Sequence, residues 1–168
     1  MEKSSGFDMG KLSAASKIIF IAGVLLLIDS FLQWQRYCVD LSGIGGLGNT
    51  CAGVSAWAGS GSFFGLLMGL SVLALLIWEG IQAAGAGGNI KIGISASKLS
   101  AYLGFAVVGF GILKLIFVLV SELKPSLFGW IGFILILIVG YGAWMKFQEP
   151  EVAAPPSAPS GTDGGFTA

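Results

Sequence analysis

Long uninterrupted apolar runs dominate this chain, and short stretches rich in glycine and polar residues separate them. A helix that crosses the hydrocarbon core of a bilayer needs about 20 such residues. Four runs approach that length, and they predict membrane-spanning helices over residues 18–36, 62–84, 99–121 and 127–146. The breaks between the runs contain the glycines and the proline that favour turns.

The four runs predict an all-α polytopic membrane protein, built as an antiparallel four-helix transmembrane bundle over residues 18–146. Residues 1–17 are predicted to be a cytoplasmic N-terminal segment. Residues 147–168 are rich in Pro, Ala, Gly and Ser, which predicts a disordered cytoplasmic tail, with a docking peptide as the alternative. The first run does not resemble a cleaved signal peptide, because large residues follow it where a cleavage site needs small ones.

Composition supports a membrane protein and argues against several functions. Of the 168 residues, 55% are hydrophobic and only 11% charged, whereas a soluble domain carries about 25% charged residues. The lipid bilayer is therefore the expected partner, and a formal net charge of zero gives no reason to expect nucleic acid. Because the chain has no histidine, it lacks the commonest general base and metal ligand. We expect no enzyme, no cofactor and no metal site.

Basic residues predict the orientation of the bundle. Two of them fall in the predicted outer loops, Arg36 and Lys124. The predicted cytoplasmic side holds Lys3, Lys11, Lys17, Lys91, Lys98 and Lys146. This distribution follows the positive-inside rule and predicts a cell-membrane protein with both termini in the cytoplasm. Trp34, Trp78, Trp130 and Trp144 fall near predicted span ends, as an aromatic belt would.

Two charged residues lie inside predicted spans that run in the same direction. Asp29 is in the outer half of the first span, and Lys114 is in the outer half of the third. Since charged residues within a membrane usually pair, we predict a contact between Asp29 and Lys114. Independent snorkelling to the outer surface and a proton or ion relay are the alternatives.

A third charge, Glu79, lies near the cytoplasmic end of the second span. Its position predicts an interfacial, solvated carboxylate. Lys17, Lys91 and Lys98 are its candidate partners on that side. Because Asp29 lies toward the opposite face of the membrane, Glu79 and Asp29 are not expected to form a catalytic carboxylate pair.

Both cysteines, Cys38 and Cys51, fall in the predicted outer loop between the first two spans. An oxidising compartment favours a disulfide between them, and free thiols are the alternative. Two cysteines without histidine provide only half of a zinc ligand set. The loop sequence predicts a small disulfide-pinned hairpin, and its "GIGGLG" lacks the strand-to-helix context of a phosphate-binding loop.

Glycines at regular spacing predict close helix packing. Gly65 and Gly69 form a GxxxG pattern in the second span, and Gly104 and Gly111 share a face of the third. We expect these faces to pack within the bundle, with self-association as the alternative.

The first half of the chain resembles a known kind of membrane protein. The segment "KLSAASKIIFIAGVLLLIDSFLQW", a glycine-rich loop ending in "VSAWAG" and the apolar run that follows are similar to small four-span membrane proteins of actinobacteria. The matching positions are Asp29, Phe31, Leu32, Trp34 and Ser55-Ala56-Trp57. This resemblance covers about residues 11–78 and implies a topology but no activity.

A looser architectural likeness is to claudin-type tetraspans, which carry a Trp and two Cys in the first outer loop. Trp34, Cys38 and Cys51 match that arrangement, although the Gly-Leu-Trp triplet expected before the first cysteine is missing. The sequence therefore predicts a noncatalytic structural or accessory subunit of a membrane assembly, whose partners are other membrane proteins or a second copy. The alternative is a small transporter or channel component that uses Asp29, Lys114 and Glu79.

Overall fold

The computed structural model describes residues 10, 12–40, 43, 48–85 and 94–149, and its fold is mostly helical. Its four helices are α1 (Ala14–Ser30), α2 (Ser62–Ala83), α3 (Ala96–Val120) and α4 (Leu127–Gln148). Its three strands are β1 (Gln35–Val39), β2 (Thr50–Val54) and β3 (Lys124–Pro125). The prediction of an all-α fold is therefore corrected to a mostly helical one, because segments that join the helices pair as a small three-stranded sheet.

Three helices, α2, α3 and α4, are long and apolar enough to cross a membrane. Helix α1 has 17 residues and ends at Ser30, which is earlier than the predicted end at residue 36. The chain turns there because the backbone N–H of Leu32 donates to the Asp29 carbonyl (2.9 Å), and β1 begins soon afterwards. Three of the four predicted spans thus correspond to helices that are long and apolar enough to cross a membrane.

The helices pack in a ring in which each one contacts its two antiparallel neighbours. The main contacts join α1 to α2, α2 to α3, α3 to α4 and α4 to α1. Helices that run in the same direction, α1 with α3 and α2 with α4, therefore occupy opposite corners of the bundle. This arrangement decides which side chains can meet across the core.

Each helix turns a stripe of residues, spaced by three and four positions, toward the centre of the bundle. On α2 the stripe is Met68, Val72, Leu75 and Glu79, all of them buried. The first three belong to the main apolar cluster with residues from α1, α3 and α4. Large apolar side chains cover much of the outside of the bundle, which is the pattern expected of helices that cross a membrane.

The sheet has the strand order β2-β1-β3, and both pairings are antiparallel. Cys38 lies directly opposite Cys51, and the two form a disulfide. This confirms the predicted hairpin and its disulfide, although residues 44–47 of the glycine-rich turn lie outside the described residues. The short turn between α3 and α4 contains the two-residue strand β3, which pairs with the start of β1.

The four glycines predicted to pack within the bundle do so in two different ways. Gly104 and Gly111 of α3 face Ala143 and Ile136 of α4, and a β-carbon on Gly104 would lie 2.5 Å from that of Ala143. Gly65 and Gly69 of α2 receive a loop and not a helix, because the Ala56 carbonyl and the Trp57 ring occupy the space beside them. The two glycines of the GxxxG pattern therefore leave space for the segment that precedes α2 to pack against that helix.

The ends of the chain extend the bundle differently from the prediction. Helix α4 continues to Gln148, and Glu149 follows it with defined contacts, so the predicted tail cannot begin at residue 147. The tail over residues 150–168 and most of the predicted N-terminal segment, residues 1–9 and 11, lie outside the described residues.

Candidate functional site

One end of the bundle, where α1 and α3 finish, carries the three strands and the segment over residues 55–60. We call this assembly the cap. Four polar side chains that are buried in or beneath it (Asp29, Ser30, Gln35 and Lys114) are all hydrogen-bonded. The cap therefore gathers four of the nine buried polar or charged residues in the described part of the chain.

Asp29 is bound by the indole of Trp34 beneath the cap. The Trp34 Nε1–H donates both to the Asp29 carboxylate (2.9 Å) and to the Asp29 carbonyl (3.0 Å). Trp34 is 2% exposed, so it is a core residue and not the interfacial aromatic that its position predicts. It fits because Gly129 and Gly132 of α4 leave room for its backbone and its ring.

Lys114 reaches into the cap from the core stripe of α3. Its side chain is fully buried, and its Nζ donates to the carbonyls of Ala58 (2.9 Å) and Ser60 (2.6 Å). The Gln35 side chain holds Ser60 from the other side, because its Nε2 donates to the Ser60 carbonyl and its Oε1 accepts from the Ser60 N–H, each at 3.1 Å. Lys114 therefore fastens the segment before α2 onto α3.

The structure does not pair Asp29 with Lys114, contrary to the sequence prediction. Within the described ranges, the ion pair observed joins Lys146 to Glu149. Because α1 and α3 occupy opposite corners of the ring, the two charges point into the cap from different sides, and each finds a nearer partner there. Neither charge is left to snorkel, since both side chains are buried.

Two further contacts tie the cap to the helices. The Trp57 Nε1–H donates to the Ser30 hydroxyl (3.0 Å), which joins the loop before α2 to the end of α1. The Ser126 hydroxyl donates to the Gln33 carbonyl and accepts from the Gly129 N–H (3.3 Å), so it also caps the start of α4. The cap thus contacts the ends of all four helices.

The surface of the cap contains a cavity of about 410 Å³. Its lining includes Arg36 and Lys124, which lie directly opposite each other in the pairing of β1 with β3. Both side chains are exposed, and Tyr37, Cys38, Glu122 and Pro125 complete the wall.

The opposite end of the bundle contains Glu79 in a very different setting. Its exposed fraction is 0%, which overturns the prediction of a solvated helix-end carboxylate. Neither carboxylate oxygen has a hydrogen-bond partner among the residues that the structure describes. The spacing of the α2 stripe was the signal for this burial, because Glu79 follows Leu75 by four residues exactly as Val72 follows Met68.

Glu149 joins three helices at that same end. Its carboxylate accepts from Ser97 at the start of α3 (2.5 Å) and from Lys146 of α4 (3.2 Å). Burial acts to raise the pKa of Glu149, but hydrogen bonds from Ser97 and from Ser13, the N-cap of α1, together with the Lys146 charge, bring it below its ordinary value. Sequence reasoning missed this junction, although Lys146 and Glu149 have the spacing of a helical ion pair.

In the described part of the chain, no group of three or more His, Cys, Asp or Glu side chains is placed to hold a metal ion. The chain matches no protein-family model, no curated protein and no solved structure. The cap and the opposite end of the bundle are therefore the two regions that bear on function.

Proposed function

We propose that this chain is a noncatalytic integral membrane protein, a structural or accessory subunit that presents its cap to a partner outside the cytoplasm. The observation that carries the proposal is where the side chains of Asp29 and Lys114 bond: Asp29 accepts from Trp34, directly before β1, and Lys114 donates to the segment over residues 55–60. Charged residues within membrane helices are costly and usually have a function. Here that function is to hold the cap in one position.

We propose further that α1 is the fourth span. Its outward surface is apolar, with Ile21, Leu25 and Ile28 all about half exposed or more. Such side chains suit lipid and would be unfavourable in water. A fourth span also returns the chain so that both termini lie on the cytoplasmic side, in agreement with the distribution of basic residues.

A rigid cap is well suited to recognising another protein. The disulfide joins β1 to β2, and β3 joins the sheet to the turn between α3 and α4. A preorganised surface loses less conformational entropy when it binds than a flexible loop would. The cavity beside Arg36 and Lys124 gives this surface its charged centre.

The transporter alternative loses the support that Asp29 and Lys114 were expected to supply. A relay group has to exchange its proton or ion, whereas Lys114 is fully buried and already donates to two carbonyls. Displacing Lys114 would take the side-chain donor from the Ala58 carbonyl and leave the Ser60 carbonyl with Gln35 as its side-chain donor. We therefore propose the accessory role ahead of transport.

Site-directed photo-crosslinking in native membranes tests this proposal. A photoreactive amino acid at Tyr37, which is exposed on the cap, should give one stoichiometric adduct with a partner protein. The same group at Ile77, which is exposed on the outside of α2, is the matched control and should crosslink mainly to lipid. The accessory role is contradicted if Tyr37 gives no protein adduct and the chain purifies alone in mild detergent.

A further inference from the structure

Glu79 occupies a core position in the bundle. It continues the stripe of Met68, Val72 and Leu75, whose side chains pack against residues of the other three helices. It precedes the end of α2 by four residues, or about 6 Å along the helix axis. The carboxyl group is therefore enclosed by protein close to the end of the bundle that faces away from the cap.

The polar side chains nearest to Glu79 along α2 already have other partners. The Trp78 Nε1–H donates to the Ala96 carbonyl (3.3 Å), and the Gln82 Nε2 donates to the Ser100 hydroxyl (3.1 Å). Both bonds link α2 to α3, and neither includes the Glu79 carboxylate. A buried carboxylate normally accepts several hydrogen bonds, whereas this one accepts none within the described chain.

The charged groups on the neighbouring helices at this end do not neutralise Glu79 either. They are Lys17 on α1, Lys98 on α3, and Lys146 with Glu149 at the end of α4. Within the part of the chain that the structure describes, Glu79 forms no ion pair with Lys17, Lys98 or Lys146. Lys91, the other predicted partner, lies outside the described residues. Lys146 lies on the diagonally opposite helix and is bound to Glu149.

An ionised carboxylate in this position would be strongly unfavourable. The effective penalty for burying an unpaired ion in a protein is several kcal/mol. A metal ion is a poor solution, because hard cations take about six oxygen ligands and the described residues offer no such cluster. A proton neutralises the group without any further ligand.

We propose that Glu79 is a proton-binding site, a carboxyl group that is protonated while it is enclosed in the bundle and exchanges its proton with the cytoplasm. The Gln82–Ser100 hydrogen bond lies between Glu79 and the end of α2, so polar groups continue from the site toward that surface. This inference goes beyond the accessory role, which depends on the cap and does not use Glu79. It assigns the chain a proton as ligand at the end opposite its partner surface.

Infrared difference spectroscopy on the full chain in lipid vesicles at neutral pH tests the proposal. Subtracting the spectrum of Glu79→Gln from that of the unaltered protein should show the C=O stretching band of a protonated carboxyl group. Glu122→Gln is the matched control, and the exposed Glu122 should instead contribute a carboxylate band. A carboxylate band in the Glu79 difference spectrum would overturn the proposal.

Labelling with a lipophilic carbodiimide gives a second test that needs no variant. The carboxyl O–H adds across one C=N bond of the reagent, and the O-acylisourea rearranges to a stable N-acylurea without loss of any atom. Peptide mass spectrometry should find the adduct on Glu79 in the protein labelled at neutral pH. Labelling of Glu122 in place of Glu79 would overturn the proposal.

The variant Lys146→Gln distinguishes a proton from an internal counter-ion. If a proton neutralises Glu79, its labelling rate at neutral pH should stay within about twofold of that of the unaltered protein. If Glu79 is ionised and Lys146 is its counter-ion, adducts should appear only in Lys146→Gln, and that result would overturn the proposal. Failure to crosslink a partner through Tyr37 would leave all three results unaffected, so the accessory role and the proton site fail separately.

Discussion

The two ends of the bundle treat buried charge in opposite ways. At the cap end, Asp29 and Lys114 are hydrogen-bonded because strands and loops fold back over the helices and supply an indole and two carbonyls. At the other end, the described residues supply no such partner for Glu79. All three side chains lie on core-facing stripes, so helix position alone does not distinguish a structural charge from a reactive one. The connecting segments make the difference.

Among the substitutions that test this contrast, replacing Trp34 should reduce the stability of the protein the most. Trp34→Ala leaves a cavity against Gly129 and Gly132 and deprives Asp29 of its donor. We expect the free energy of unfolding in detergent to fall by about 3–5 kcal/mol. Trp130→Ala is the control, because the Trp130 side chain is 46% exposed, and it should cost far less. Equal losses would mean that the cap is not anchored through Trp34.

Loss of the disulfide should destabilise the cap end by the next largest amount. The bond joins residues that are 13 apart in sequence, and the chain-entropy model gives about 3 kcal/mol for a loop of this size. Thermal unfolding of Cys38→Ser/Cys51→Ser beside the unaltered protein measures this difference. The photo-crosslink at Tyr37 should weaken in the same variant, whereas carbodiimide labelling of Glu79 should not change.

Replacing one buried charged residue at each end shows directly how much each contributes to the stability of the fold. Lys114→Met removes the donor to two carbonyls, and we expect a loss of about 2 kcal/mol in the free energy of unfolding. Glu79→Gln removes no bond within the described chain, so its loss should be smaller than that of Lys114→Met. If Glu79→Gln is the more damaging of the two, the carboxylate has a partner and the contrast between the ends is lost.

The smallest effect should come from Glu149, at the end away from the cap. Because its pKa in the folded protein lies below the ordinary value of 4.5, its contacts stabilise the fold above that pH. This contribution should disappear as the pH falls through the folded pKa, and its size is under about 1 kcal/mol for a partly exposed pair. Thermal midpoints on both sides of pH 4.5 should show the loss in the unaltered protein and not in Glu149→Gln.

Much of the fold could be read from the sequence because the relevant signals are local. The second and fourth helices begin at the predicted residues, Ser62 and Leu127, where glycine and serine precede long apolar runs. The disulfide followed from two cysteines in one loop. In each case the residues that determine the structure are neighbours in the sequence.

The partners of Asp29 and Lys114 could not be predicted in the same way. Lys114 binds backbone carbonyls, which every residue possesses, so no side-chain pattern marks Ala58 or Ser60 as its partners. The expected Asp29–Lys114 contact also assumed that helices at equal depth can meet, whereas ring packing places α1 and α3 at opposite corners. Helix order around a ring is a tertiary property that hydropathy does not encode.

The short first helix has a consequence for the surrounding membrane. At 17 residues α1 is about 25 Å long, whereas α3, at 25 residues, reaches about 37 Å. With α1 as a span, its apolar length falls short of a hydrocarbon core of about 30 Å. Lipids beside α1 should then compress to match it, at a cost of a fraction of a kcal/mol for each ångström. Another short helix that settles beside α1 would share the thinned bilayer, so hydrophobic mismatch itself favours a neighbour on that side.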